Sequence, residues 1–263
     1  MSDTAAAPVV LFEMLTPHIA LVTLNRPEKR NAISPEMAQA LDAIVKKTEV
    51  DADVRVVILT SSNDRVFCAG ADLGAVAAGT AFGMETAHGG FAGFVYHSRR
   101  KPWIAAVEGF AVAGGCEICL ACDMIVASEN AQFGLPEVKR SLLAGAGGLH
   151  RLPNRIPPAI AYEMIATGDP IGAARAAQHG LVNQVTPAGQ AVAEARKLAE
   201  RIAVNAPQAV QYSLATARSS GSLPDAAGRP IASEWMSLLR QTEDFKEGPR
   251  AFVEKREPVW KGR

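Results

Sequence analysis

The stretch AGGCEICLACDMIVASENAQFGLPEVKR, residues 113–140, combines three local structural signals with two acids. A glycine pair opens an apolar, helix-like run; MIVA reads as a short buried strand by its β-branched content; Gly134-Leu135-Pro136 then turns the chain again. With WIAAV at 103–107 ahead of it, the order is strand, glycine-rich turn, helix, strand, the alternation of an α/β core. Glu117 and Glu137 stand in this apolar, glycine-rich context, where an acid ordinarily costs stability. A carboxyl flanked by Gly-Cys and Ile-Cys-Leu is poorly hydrated, which raises its pKa toward the range useful in proton transfer. The alternative is that Glu117 complements the first turn of its helix and Glu137, after Pro136, the first turn of the next.

The same alternation continues outward. VVLFEML (9–15) and HIALVTL (18–24) predict paired strands around Thr16-Pro17, followed by the charged loop RPEKRNAIS at 26–34. Ser34 is placed to cap a helix that starts at Pro35 and puts Met37, Leu41, Ile44 and Val45 on one face. VRVVILTSS (54–62) is a buried strand, and ARAAQHG before LVNQV repeats the helix-then-strand order. Beyond residue 188 only helical patterns remain, one with the stripe Ile231, Trp235, Leu238 and Leu239, suited to packing on its own core or on another subunit. Residues 77–90, AAGTAFGMETAHGG, predict an irregular or mobile loop that could wall a substrate.

Composition bounds the function. The chain has 263 residues, 48% hydrophobic, enough for a large core. Lysine plus arginine and aspartate plus glutamate are 27 each, so no basic field draws it to nucleic acid or anionic lipid. Every apolar run is interrupted before about 18 residues, so neither a membrane span nor an export signal is expected. Cys116, Cys119 and Cys122 have the C-x2-C-x2-C spacing of some iron–sulfur motifs but lack a fourth local ligand, and read as core packing in a reducing cytoplasm. The histidines at 18, 88, 97, 150 and 179 show no paired metal spacing. The run AGAGG at 144–148 lacks the full spacing of a nucleotide loop, and no GxSxG motif is present.

Two small-residue turns, FCAGADL at 67–73 and AGGCE at 113–117, each fall where a strand yields to a helix. Unshielded N–H groups there can hold an oxygen that gains negative charge, and two such donors form an oxyanion hole. Tight turns alone would also explain these residues. Glu108, before Gly109 at a strand end, has no evident partner and reads as structural.

Six ordered blocks resemble the enoyl-CoA hydratase/isomerase (crotonase) family: LNRPEKRNAIS, VFCAGADL, AAVEGFAVAGGCEICLACDMIVASENAQFGLPEV, GAGGLHRLP, GLVNQV and AFVEKREPVWKGR. The resemblance spans nearly the whole chain. It implies an α/β spiral of repeated β-β-α units over 1–195, holding the CoA and catalytic site. It also implies a helical C-terminal region over 196–263 for trimerisation and CoA contact, in a homotrimer or dimer of trimers. By the same resemblance Ala71 and Gly114 donate to the thioester oxygen, Glu117 handles the water and Glu137 the Cα proton. Lys29, Arg30, Ala32, Ala69, Asp72 and Leu73, with Phe252 and Lys255 from the tail, contact CoA. Coenzyme A enters as part of the substrate, and no permanently bound cofactor is implied.

The implied activity is reversible hydration of an enoyl-CoA. A double-bond isomerase or a non-catalytic acyl-CoA binding protein are the alternatives, and retention of both glutamates and both donors separates them. Two features depart from the family pattern: Gly74 stands where some hydratases have a lysine, and Ala113 where a third glycine is frequent. LPNRIPPAIAYEMIATG and EGPRAFVEKREPVWKGR resemble most the carnitinyl-CoA dehydratase branch, whose cationic acyl group would favour an aromatic wall. Phe82, Phe91, Phe94, Tyr96 and Trp103 are the nearby aromatics.

Overall fold

The computed structural model describes residues 7–79 and 82–263. Its strands are β1 (Val10–Thr16), β2 (Ile19–Leu24), β3 (Val56–Ser61), β4 (Val66–Cys68), β5 (Glu85–Thr86), β6 (Gly90–Phe91), β7 (Trp103–Val107), β8 (Phe110–Val112), β9 (Met124–Ser128), β10 (Gln132–Gly134), β11 (Ile171–Gly172) and β12 (Gln184–Thr186). The helices are α1 (Pro35–Val50), α2 (Leu73–Ala77), α3 (Gly114–Ala121), α4 (Gly148–Arg155), α5 (Pro158–Thr167), α6 (Ala173–Gln178), α7 (Ala191–Ala203), α8 (Pro207–Ser220), α9 (Asp225–Leu239) and α10 (Glu243–Glu254).

One sheet runs β1-β2-β3-β7-β9-β12, antiparallel at β1–β2 and parallel thereafter. The second runs β11-β10-β8-β4, parallel except at β11. Successive pairs β3/β4, β7/β8 and β9/β10 each give one strand to either sheet before the chain turns into α2, α3 or a short 3-10 turn at Pro136–Arg140. That is the expected spiral of β-β-α units. β4 contains an irregularity: Val66 and Cys68 pair with the consecutive residues Phe110 and Ala111, so Phe67 is a bulge.

The expected elements form for the expected reasons. Ser34 Oγ accepts the Met37 N–H at 3.2 Å, and α1 buries Met37, Leu41 and Val45, with Ile44 packed beside them. Such a cap contributes about 1 kcal/mol. The main core between the sheets and surrounding helices includes the fully buried rings of Phe67, Phe94, Trp103 and Phe133. A second core lies on the far face of the six-stranded sheet. There Ala191, Ala195, Ala199 and Ala203 repeat every fourth residue along α7 and pack against Ile19, Val56, Ile58, Ile104 and Val126. The small alanine side chains let the helix lie close to the sheet, with Val192, Leu198 and Ile202 packing beside them.

After Thr186 no further strand occurs among the described residues. α8 docks through Arg218, which bonds the Asp123 carboxylate at 2.8 Å and the Arg99 carbonyl at 2.5 Å. α9 buries no residue; Trp235 packs on Tyr212 of α8 with ring centres 4.9 Å apart, while Met236 and Leu238 stay exposed. The glycine-rich segment at 77–90 departs from the expected irregular loop. Residues 80 and 81 lie outside the described residues, and beyond them β5 and β6 form a small hairpin tied to α1 by Thr86 Oγ1 donating to Asp42 at 2.8 Å.

Candidate active site

Three neighbouring parallel strands aim their C-terminal ends at one place. β8 is the middle strand; β4 pairs with it at Cys68–Ala111 and β10 at Gly134–Val112. Ala71 follows the end of β4 by three residues, Gly114 and Glu117 follow β8 by two and five, and Glu137 follows β10 by three. Residues separated by dozens of positions thus meet because their strands share a register. The Ala113 N–H donating to Gly134 O at 2.9 Å closes the β8 and β10 ends on each other.

The two donor turns touch. Added to Gly70 (φ +89°), a Cβ would lie 2.8 Å from Ala113 Cβ and 2.9 Å from Gly114 N. On Gly114 it would lie 2.4 Å from Phe91 Cε1, and on Gly115 2.1 Å from the Cys68 carbonyl oxygen. Glycine is therefore required by close approach. On either side of Ala71, Gly70 O accepts the Ile33 N–H and the Asp72 N–H donates to Ile33 O, leaving the Ala71 N–H without an acceptor among the described residues. Gly114 is the first residue of α3, where an N–H has no intrahelical acceptor. Ala113 stands at φ 52°, ψ −130°, a conformation comfortable only for glycine, which stores about 1–3 kcal/mol of strain beside the site.

Glu117 is 3% exposed, and its Oε1 accepts the Gly148 N–H at 2.9 Å. Burial pushes its carboxyl up to about 7; the Gly148 donor opposes this, the neighbouring Glu137 charge adds to it, and Arg151 draws it back. Burial also raises Glu137, whose Oε2 is buried with no hydrogen-bond partner among the described residues. Both acids are therefore shifted toward neutral pH by desolvation, as the sequence context indicates. Glu108 is different: its two oxygens accept the Gly189 and Ala191 N–H groups, each at 2.8 Å, and it holds the start of α7.

The residues expected at CoA fall into two groups. Lys29 and Arg30 are exposed on the 26–33 loop, which is stitched to the 69–72 turn. Ala69 N–H donates to Arg30 O at 3.1 Å, and Arg26 bonds Ala32 O at 3.1 Å and the Asp72 carboxylate at 3.0 Å. Leu73 starts α2 and is 47% exposed; Gly74 donates to the Asp72 side chain at 3.1 Å. Phe252 and Lys255 stand at the end of α10, and neither shares a hydrogen bond with that cluster.

Of the five aromatics, Phe94 and Trp103 are fully buried against each other, Phe82 points to solvent, Tyr96 is half exposed, and Phe91 lies on Gly114. All four cysteines are free, buried thiols, and burial pushes Cys68 and Cys122 up to about 12. Among the described residues no group of three His, Cys, Asp or Glu side chains is arranged to hold a metal. Gly148 and Arg151 were not singled out by sequence reasoning, which assigns AGAGG to packing alone. The usable signal was a Gly-Gly pair opening a helix, with its first N–H groups free to meet a carboxylate.

The β-β-α spiral thus gathers two desolvated carboxyls and two backbone N–H groups after the C-terminal ends of three adjacent strands. The family model for enoyl-CoA hydratase/isomerase matches residues 16–263, and the chain belongs to that family. It is 41% identical to (E)-benzylidenesuccinyl-CoA hydratase of Thauera aromatica over 246 residues, 93% of this chain and 96% of that protein. It is 40% identical to carnitinyl-CoA dehydratase of Proteus mirabilis (strain HI4320), covering 92% of this chain and 94% of the other. Among solved structures, enoyl-CoA hydratase from Mycobacterium tuberculosis H37Rv superposes with a TM-score of 0.92 at 41% identity, over 98% of this chain and all of the other.

Proposed function

We propose that this protein is an enoyl-CoA hydratase that adds water reversibly across the 2,3 double bond of an acyl-CoA thioester. The observation that carries this reading is the pair of desolvated acids, the buried Glu117 and the half-buried Glu137, which follow adjacent strand ends beside the Gly114 donor. In this reading the thioester carbonyl accepts from Ala71 N–H and Gly114 N–H, which stabilise the enolate oxygen. Glu117 takes a proton from water as its oxygen bonds Cβ, the double-bond electrons pass through Cα to the carbonyl, and Glu137 returns a proton to Cα. A carboxyl poised at about 7 serves both directions near neutral pH.

Lys29, Arg30 and Ala32, with the backbone of Ala69, Asp72 and Leu73, are proposed to receive the CoA nucleotide and pantetheine. Phe252 and Lys255 are proposed to add a second contact set from the tail. The exposed apolar residues Met236, Leu238, Phe252 and Val253 support assembly of the tail with other copies, as a trimer or dimer of trimers. Four free thiols support a reducing, cytoplasmic setting. Phe91 is the aromatic best placed to meet the acyl group, and both the aromatic acyl group named for the Thauera relative and the cationic one of the carnitinyl branch suit such a ring.

The test is loss of the enoyl absorbance of crotonyl-CoA and of bulkier enoyl-CoA thioesters on mixing with the protein. Hydration with both glutamates required supports the reading. Migration of the double bond without uptake of water would make it an isomerase, and tight CoA binding without turnover of any thioester would make it a binding protein.

A further inference from the structure

Glu117 accepts the Gly148 N–H at the end of the strap formed by residues 145–148, and the backbone of Ala146 in the same strap also favours its charged form. Two side chains hold the rest of that strap. Arg151, three residues into α4, donates from Nη1 to Ala146 O at 3.1 Å and from Nη2 to Val95 O at 2.6 Å. Its guanidinium also lies across Gly147, where an added Cβ would come within 2.0 Å of Nη1 and where φ is +115°. The guanidinium carbon stands 5.0 Å from the centre of the Tyr96 ring, and Tyr96 Oη donates to Gly145 O at 3.1 Å. Every residue of the strap is therefore fixed by one of these two side chains or by Glu117 itself.

We propose that Arg151 and Tyr96 are positioning residues that clamp the 145–148 strap, so that its Gly148 N–H holds the Glu117 carboxyl in one orientation for proton transfer. The proposal rests on the acid/base reading of Glu117 and adds to it residues that touch neither water nor thioester. Val95 and Tyr96 directly follow the segment carrying Phe91, so the clamp ties the wall beside Gly114 to the acid that must face the same ligand. Arg151 does more than span carbonyls. Glu117 is faced by the Glu137 charge from the 136–140 turn, by Arg151 from α4, and by Cys116 on its own helix, whose thiol burial keeps protonated. Arg151 is in turn faced by Tyr96 and Arg155. It is the cation in that set that opposes the desolvation of Glu117.

The experiment compares Arg151→Gln, Arg151→Lys and Tyr96→Phe with the unaltered protein. The readouts are kcat and KM on crotonyl-CoA across pH, thermal unfolding, and titration of 13C-labelled glutamate carboxyls by NMR, with Glu117 assigned through Glu117→Gln. Arg151→Gln should lower kcat by about 10- to 100-fold, as a small misplacement of a reacting group does, with little change in KM. It should also move the Glu117 titration, and the acid limb of kcat, upward from about 7. Arg151→Lys should keep that limb near its original place while losing part of kcat. Tyr96→Phe should lower kcat a few-fold with unfolding temperature and limb unchanged.

An Arg151→Gln protein whose Glu117 titration and acid limb stay in place overturns the proposal, even if it is less stable, because a merely structural staple would do that. If Arg151→Gln does not fold, a Tyr96→Phe protein with unaltered kcat overturns it instead. The NMR titration needs no turnover. A Glu117 midpoint that shifts in a protein inactive on every enoyl-CoA supports the clamp while sinking the hydratase reading.

Discussion

The two halves of the acid pair are built differently. Glu117 hangs from a helix, is 3% exposed and is anchored by a backbone donor; Glu137 rides a short 3-10 turn and its Oε2 has no protein donor among the described residues. Burial raises both. The difference teaches that desolvation sets when these carboxyls gain protons, whereas the surrounding hydrogen bonds set how firmly each is held. In the proposed hydration, the acid assigned to the water profits from a fixed orientation, and the one assigned to Cα profits from a free oxygen.

The strongest way to break the comparison is to remove each acid. Glu117→Gln and Glu137→Gln should each lower kcat for crotonyl-CoA by about 100- to 10,000-fold, with the double variant little worse than either single one. Steady-state kinetics read this directly. A Glu137→Gln protein that keeps its rate would leave Glu117 as the one acid/base in the site.

Stability sharpens the comparison next. The folded Glu117 carboxyl titrates at about 7, above its ordinary 4.5, so the folded chain holds an extra proton between those values. Stability contributed by that proton is intact below about 4.5, declines as pH rises, and is lost above about 7. The shift corresponds to about 3 kcal/mol. Glu117→Gln keeps an acceptor for Gly148 and needs no proton, so it should unfold later than the unaltered protein at pH 8 and no later at pH 4. Equilibrium denaturation at the two pH values checks this. Equal effects at both would mean the carboxyl is not desolvated.

The smallest effect concerns Ala113, whose φ of 52° and ψ of −130° sit between the two donor turns. Ala113→Gly should stabilise by about 1 kcal/mol, strain relief outweighing the greater freedom of glycine in the unfolded chain. Urea unfolding measures it. A loss of stability would show that the Ala113 methyl against Gly70 matters more than the backbone angle.

Much of this was legible in the sequence where the signal is local. The Ser34-Pro35 start of α1, the β1–β2 hairpin and the buried strands β3, β7 and β9 follow from caps and β-branched runs. The glutamates stood out because acids are rare in apolar, glycine-rich company. What stayed hidden is relational. Nothing local says that β4, β8 and β10 lie side by side, that Gly114 is held under Phe91, or that Glu108 accepts from a helix start 81 and 83 residues away. The Gly148 bond to Glu117 spans 31 residues and needs the fold before it has meaning. The alanines of α7 likewise look unremarkable until the sheet behind them is known.

The bulge at Phe67 has a consequence for length. Val66 pairs with Phe110 and Cys68 with Ala111 on either side of it, so β4 takes up one extra residue without shifting the register that carries Ala71 to Gly114. Deleting Phe67 would restore regular pairing with that register kept, and the loss would be a fully buried ring from the main core. The donor turn is thus held by the strand pairing on either side of the bulge, while the extra residue serves the packing of the core.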